Sequence, residues 1–187
     1  MKKILPQYQG YFHPTHDDDF GLVTFLSQDI TVHDSGSFSL YDGMQLSPND
    51  KNMGRIAQWF SVTQGAQNYM ILNMHGYHTK TGKGDIPERL IQSQNIIKHA
   101  EKFINNDIPV IVCGDFNLRS DTESIAMFNT YFKNLINMYN VQNTRTSYYT
   151  RDEKFADYIF ISNDLHEKEF KCIDEEVSDH AALYVEV

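Results

Sequence analysis

Four apolar, strand-like runs of this chain carry at one end residues able to do acid–base or phosphate chemistry. Asn-Met-His-Gly sets Asn73 and His75 one residue apart, and Gly-Asp-Phe-Asn does the same for Asp115 and Asn117. Phe-Ala-Asp-Tyr carries Asp157, and Ser-Asp-His places Asp179 directly before His180. Taken singly, each has an ordinary reading: an asparagine closing a turn, a hydrogen-bonded strand histidine, an aspartate capping backbone. Collected at strand ends they have another, because the strand ends of one layered sheet converge on one edge. The set suits hydrolysis of a phosphodiester or phosphomonoester, in which a carboxylate holds a cation against a phosphate oxygen, a histidine–aspartate pair activates water and asparagine amides orient the phosphate. Mg²⁺ (or Mn²⁺) is the expected cation, since Mg²⁺ prefers oxygen ligands, keeps several waters and needs only one or two carboxylates. No serine elbow, Gly-x-x-x-x-Gly-Lys loop or His-Glu-x-x-His pair points to another chemistry.

The elements that must position these residues can be read from periodicity and turn chemistry. Gly21 to Ser27 and Ile30 to Gly36 read as neighbouring strands joined by Gln28 and Asp29. Gly54 to Val62 and Asn68 to Gly76 repeat a hairpin pattern around Gly65, so the first half is expected to be mostly antiparallel sheet. Asp85 and Glu88 form a capping-box pattern before Leu90, Ile97, Ala100 and Ile104, which recur at helical spacing; Pro109 stops that helix before the Val110 strand. Ser120 and Glu123 repeat the capping spacing just beyond Gly-Asp-Phe-Asn, which would put that turn near a helix N-terminus. Phe155 to Ser162 and Ala181 to Val187 are the last clear strands. Asp157 suits a strand poorly unless something compensates its burial.

Composition bounds the rest. At 187 residues and 41% apolar content the chain can bury a core as one domain, residues 1–187. Apolar runs are too short for a membrane span. Met1-Lys2-Lys3 resembles the start of a leader, but Pro6, Gln7 and Gln9 interrupt what should follow, and the expectation is a cytoplasmic protein with Cys113 and Cys172 reduced. A net charge of −9 opposes a large phosphate-tracking surface while allowing a small phosphate ester held through a cation. The Asp17-Asp18-Asp19 run reads as a solvated loop.

Asn-Met-His-Gly, Cys-Gly-Asp-Phe-Asn, Phe-Ala-Asp-Tyr-Ile-Phe and Val-Ser-Asp-His-Ala, in that order and spacing, resemble the endonuclease/exonuclease/phosphatase superfamily, the fold of deoxyribonuclease I, from about Gly10 to the C-terminus. The resemblance implies an α+β fold, a four-layer α/β/β/α sandwich with two mainly antiparallel sheets, and a metal-dependent phosphodiesterase or nuclease-like hydrolase. It implies that Asp115 positions or deprotonates the attacking water and Asn117 orients the phosphate. His180 would be the general base or phosphate-stabilising histidine, with Asp157 orienting its ring and Asp179 helping to hold the metal. His75 would stabilise the phosphate or protonate the leaving oxygen, supported by Asn73 on the same strand.

Family members begin with a strand carrying an asparagine, a helix, and a strand ending in Gln-Glu whose glutamate binds the metal. Neither motif occurs here, so an N-terminally incomplete fold is expected, with exposed sheet edges prone to self-association. An alternative from a different class is a catalytically impaired fragment or non-catalytic phosphate-binding module of the same fold. Glu175 and Glu176 are expected in a solvated loop rather than as substitutes for that glutamate. The partner is a phosphate-ester substrate, which nucleic acid could supply. His75 to Asp85 reads as a loop that either touches a phosphate or is simply solvated, and Arg89, Arg119 and Arg145 could bind phosphate or decorate the surface.

Overall fold

The computed structural model describes residues 5–16, 20–44 and 54–187, and the Asp17–Asp19 run lies outside them. In chain order the elements are β1 (Tyr8–His16), β2 (Phe20–Ser27), β3 (Thr31–Ser39), β4 (Ile56–Gln64), β5 (Gln67–His75), α1 (Pro87–Ile104) and β6 (Val110–Asp115). There follow α2 (Glu123–Phe128), β7 (Phe132–Asn134), α3 (Leu135–Met138), β8 (Asp157–Ser162), β9 (Glu169–Cys172) and β10 (Leu183–Glu186). This is the mixed α+β architecture of the sandwich that the sequence motifs imply. A six-stranded sheet in the order β3-β4-β5-β6-β8-β7 lies between two coverings. All its pairings are antiparallel except β5 with β6, which α1 connects as a crossover. Among the described residues, no helix is long and apolar enough to cross a membrane.

Alternation along each strand decides what faces what. Met70, Leu72 and Met74 of β5 and Val110 and Val112 of β6 pack with Ile96, Ile97 and Ala100 of α1 and with Ile125 and Phe128 of α2. The opposite face carries two ribbons: β1–β2 packs against β5, and β9–β10 packs against β8. Under the first ribbon, Leu26 meets Phe60 and Val62 in a small second core. Strands covered on both sides read as nearly continuous apolar runs, which is why Val110 to Cys113 shows no alternation. The β4–β5 hairpin closes at Gln64 and Gln67, with Gly65 at φ +61° supplying the left-handed turn residue.

Two sequence expectations change. β2 and β3 are consecutive but do not pair; β2 pairs with β1, and β3 pairs with β4. The chain passes from the ribbon to the central sheet at Gln28 and Asp29, because Leu26 buries itself against the sheet's face rather than extending its edge. The capping boxes also resolve differently. The N-cap of α1 is Ile86, extended and without a side-chain cap bond. Asp85 instead accepts hydrogen bonds from Glu123 N (2.7 Å), Ser124 N (3.0 Å) and Ser124 Oγ (2.5 Å), so it caps α2 from across the fold. The local cap of α2 is Thr122, not Ser120, and its Oγ1 accepts from Ile125 N at 3.4 Å.

Candidate active site

Strand register assembles the centre of the site. His75 stands opposite Asp115 across the parallel β5–β6 pair, and Asp115 stands opposite Asp157 across β6–β8. The three side chains therefore form a row across adjacent strands, on the face turned away from the helices. His75 Nε2 lies 3.7 Å from Asp115 Oδ2. Gly114 makes the row possible: at φ +131°, a Cβ there would sit 2.1 Å from the Met74 carbonyl oxygen. The residue between the polar pair, Phe116, turns the other way and packs edge-on against Phe128 and Tyr158 in the core. Asn117 then adopts a left-handed backbone, φ +53°, a conformation asparagine tolerates better than most residues. Its N–H donates to Asp115 Oδ1 (2.8 Å) and its Nδ2 to the Gly76 carbonyl (3.2 Å). Asp115 and Asn117 are thus brought to one opening by a turn anchored on a buried aromatic ring.

His180 enters from the last loop. Its Nδ1 lies 2.9 and 2.8 Å from the two oxygens of Asp157, and its Nε2 lies 3.9 Å from Asp115 Oδ2 and 4.0 Å from Asp179 Oδ2. The segment 143–147 holds this arrangement together. The buried Thr144 hydroxyl accepts from Ala156 N and Asp157 N, while the Thr144 carbonyl accepts from Ala181 N. Thr146 Oγ1 donates to the Ser178 carbonyl, and Glu176 accepts from the N–H and hydroxyl of Ser147. Glu176 is therefore committed to this loop. Arg145, whose side chain is 5% exposed, donates to Asp179 Oδ2 at 3.2 Å and reaches His180 Nε2 at 2.5 Å. An N–H donor that close requires an unprotonated Nε2, which leaves the ring proton on Nδ1 facing Asp157.

The 75–85 loop forms another wall and is firmly held. Arg89, 1% exposed, donates from Nε to the Tyr77 carbonyl (3.2 Å), from Nη1 to that of Gly84 (2.5 Å) and from Nη2 to that of Gly82 (2.9 Å). Between the two gripped glycines sits Lys83, itself buried, with Nζ donating to the Phe155 carbonyl at 3.0 Å. His75, His78, Lys83, Asp115, Asn117, Arg145, Asp179 and His180 share a cleft of about 420 Å³, closed on the far side by residues 148–151 and Glu153.

The electrostatics follow from burial. Burial, reinforced by the nearby Arg55 guanidinium, lowers His75 to about 4, so its ring is neutral at physiological pH. Burial and the neighbouring Arg145 lower Lys83 to about 8. The Asp157 hydrogen bond raises His180 above the ordinary imidazole value, outweighing its desolvation, and burial raises Asp157 itself. Asp115, Asp157 and His180 offer ligand atoms that all lie within 4.8 Å of one another and could hold a metal ion. Carboxylate oxygens and an imidazole suit a divalent cation, and among the described residues Asp115 Oδ2 has no hydrogen-bond donor, only the two histidines beyond 3.5 Å.

Of the residues singled out in the sequence, His75, Asp115, Asn117, Asp157, Asp179 and His180 converge here. Asn73 does not reach the cleft; its Nδ2 donates to Thr24 Oγ1 (3.3 Å) and Gln58 Oε1 (3.2 Å) beneath the β1–β2 ribbon. Arg119 pairs with Asp121 on the surface, and Arg89 is consumed by loop carbonyls. Lys83, Tyr149 and Glu153 are cleft residues that sequence reasoning did not single out. Only a lysine between two glycines hinted at the first.

A family model described as the Endonuclease/Exonuclease/phosphatase family matches residues 4–180. No curated protein matches the chain significantly by sequence. Among solved structures, an endonuclease/exonuclease/phosphatase family protein of Bacteroides thetaiotaomicron is similar at TM-score 0.79 and 19% identity, over 98% of this chain and 76% of that one. A mannosyl-6-phosphatase of the same organism gives TM-score 0.78 and 20% identity, over 99% and 78%. D. rerio TDP2, solved with a single-strand DNA product, gives TM-score 0.71 and 18% identity, over 98% and 78%.

Proposed function

The chain belongs to the endonuclease/exonuclease/phosphatase family, and on that premise we propose that it is a phosphoesterase assisted by a divalent cation, Mg²⁺ or Mn²⁺. The observation that carries this reading is the in-register row His75–Asp115–Asp157, with His180 bonded to Asp157 and Asn117 beside it at one cleft. Asp179, at the edge of the Asp115–Asp157–His180 group, is the residue that would hold the cation, whose chemistry there would be to neutralise charge growing on the phosphate oxygens.

The chain's own groups account for the rest. Asp115 Oδ2, free of hydrogen-bond donors among the described residues, positions the attacking water and takes its proton as the water oxygen bonds to phosphorus and the phosphorus–oxygen bond to the leaving group breaks, the departing oxyanion taking its proton from solvent. Asn117, fixed through its own backbone and the Gly76 carbonyl, orients the phosphate. His75, kept neutral by its environment, donates a hydrogen bond to a phosphate oxygen rather than a full proton. Asp157 fixes the His180 tautomer and turns Nε2 toward the reacting group. The same attack serves a diester, including one in nucleic acid, and a monoester.

Release of para-nitrophenol from its phosphate mono- and diesters tests the reading. Activity should require Mg²⁺ or Mn²⁺, vanish with chelator, and fall roughly 10²- to 10⁴-fold in Asp115→Asn and in His180→Ala. Hydrolysis of neither ester by the folded protein with either metal, or activity that survives Asp115→Asn, would refute it.

A further inference from the structure

Lys83 is a buried cation that makes no ion pair among the described residues; Asp115, Asp157 and Glu153 act on it only from farther away. Among the described residues its Nζ has one hydrogen bond, to the neutral Phe155 carbonyl, and it lies 5.3 Å from the Tyr149 ring centroid. The Arg145 guanidinium contacts the same ring at 4.3 Å. Burying a positive charge without a carboxylate in direct contact is costly, and burial outweighs the more distant carboxylates here, so such a charge persists where something else requires it. The fold also invests in holding this one still. Arg89 spends donors on the carbonyls of Gly82 and Gly84, on either side of Lys83, and Arg119 N donates to the Lys83 carbonyl at 2.9 Å. A lysine that merely decorated a surface loop would need none of this.

What the pair faces is the cleft that holds Asp115, Asn117 and His180. A phosphodiester brings one negative charge to such a site, and a phosphomonoester brings two near neutral pH. One cation on the wall suffices for the first, and two suit the second. The surroundings point the same way. The cleft is walled by the 75–83 loop on one side and by residues 148–151 and Glu153 on the other, with Arg151 in that wall, and just past it Asp121 and Asp152 stand with Arg119 and Lys154. A net charge of −9 opposes a long phosphate-tracking surface for a polyanion.

We propose that Lys83 and Arg145 form a paired cationic subsite for the non-bridging oxygens of a dianionic phosphate, making the substrate a small phosphomonoester, and that Arg89 is the positioning residue for Lys83. This rests on the phosphoesterase reading for its chemistry and on the cleft's own geometry for its charge preference.

The test compares Lys83→Met and Lys83→Arg with wild type on para-nitrophenyl phosphate and bis(para-nitrophenyl) phosphate with Mg²⁺, alongside calorimetric titration with inorganic phosphate at about pH 7, where Lys83 is charged. Using each protein's ratio between the two esters removes their difference in intrinsic reactivity. Lys83→Met should lower kcat/KM for the monoester roughly ten- to hundredfold, as expected for loss of a charged hydrogen bond, and at least tenfold more than for the diester. Lys83→Arg should restore most of the loss, and phosphate affinity should fall with Lys83→Met by a similar factor. Arg89→Met should weaken phosphate binding as Lys83→Met does, and the double variant should be no worse than either. Equal losses on both esters, or phosphate binding indifferent to Lys83, would overturn the proposal while leaving the phosphoesterase reading intact. Lys83-dependent phosphate binding without hydrolysis of either ester would sink that reading instead and keep the subsite.

Discussion

Removing the Asp85 carboxylate should uncouple α2 from the fold, although Asp85 lies 38 residues before the helix it caps. Its two oxygens accept from Glu123 N, Ser124 N and Ser124 Oγ, and Ser124 is wholly buried. Loss of a cap costs about 1 kcal/mol, and stranding a buried hydroxyl adds about 1 kcal/mol or more, so Asp85→Ala should destabilise by roughly 2 kcal/mol. Glu88→Ala should cost little, because α1 has no side-chain cap. In a double-mutant cycle Asp85→Ala and Ser124→Ala should couple by about 1 kcal/mol, within the range for contacting residues. The pH dependence has a definite sign. The hydrogen bonds from Ser124 and Glu123 hold the folded carboxyl below its ordinary value of 3.8. Its stabilisation is therefore fully present above the unfolded value and disappears as pH falls through the lower folded value. Urea unfolding of wild type and Asp85→Ala should thus show a constant gap from pH 5 to 7 that narrows below about pH 4. Coupling of Asp85 to Glu88 rather than to Ser124, or a gap unchanged at low pH, would refute the reasoning.

Two further outcomes are expected. Asp157→Asn, which cannot hold His180 through two acceptor oxygens, should lower kcat roughly 10²- to 10⁴-fold with little change in KM and an unaltered melting temperature. Retention of a third or more of wild-type kcat would show that the Asp157–His180 contact is structural only. The His75 ring, followed by NMR in the metal-free protein, should titrate near pH 4. Because the unfolded ring takes its proton near 6.5, the unfolded state binds more protons between those values, and stability should rise with pH across that window. A His75 titration near 6.5 would mean the ring is solvated and free of the Arg55 charge.

How much of this was legible in the sequence can be traced residue by residue. Strands β4, β5, β6, β8 and β10 and helix α1 announced themselves through alternation, apolar runs and helical spacing, since those patterns record which face of an element is buried. The polar residues at the strand ends were legible for a related reason: Asp157 and Asp115 sit where a strand has no structural use for a carboxylate. Alternation records a face, however, and never a partner. That β2 leaves β3 for β1 depends on Leu26 finding Phe60 and Val62, residues distant in the chain. Asn73 shows the limit within one strand: two residues from His75 and on the same face, it lies far enough back to meet Thr24 and Gln58 instead of the cleft. Asp85 shows it for caps, where the spacing to Glu88 matched a local motif but the hydrogen bonds went to another helix. The sequence by itself determined the layered α+β class, the family and the residues able to do chemistry. Only the tertiary structure decided which of them meet and that Lys83 and Arg145 stand with them, because register and burial arise from contacts between segments far apart in the chain.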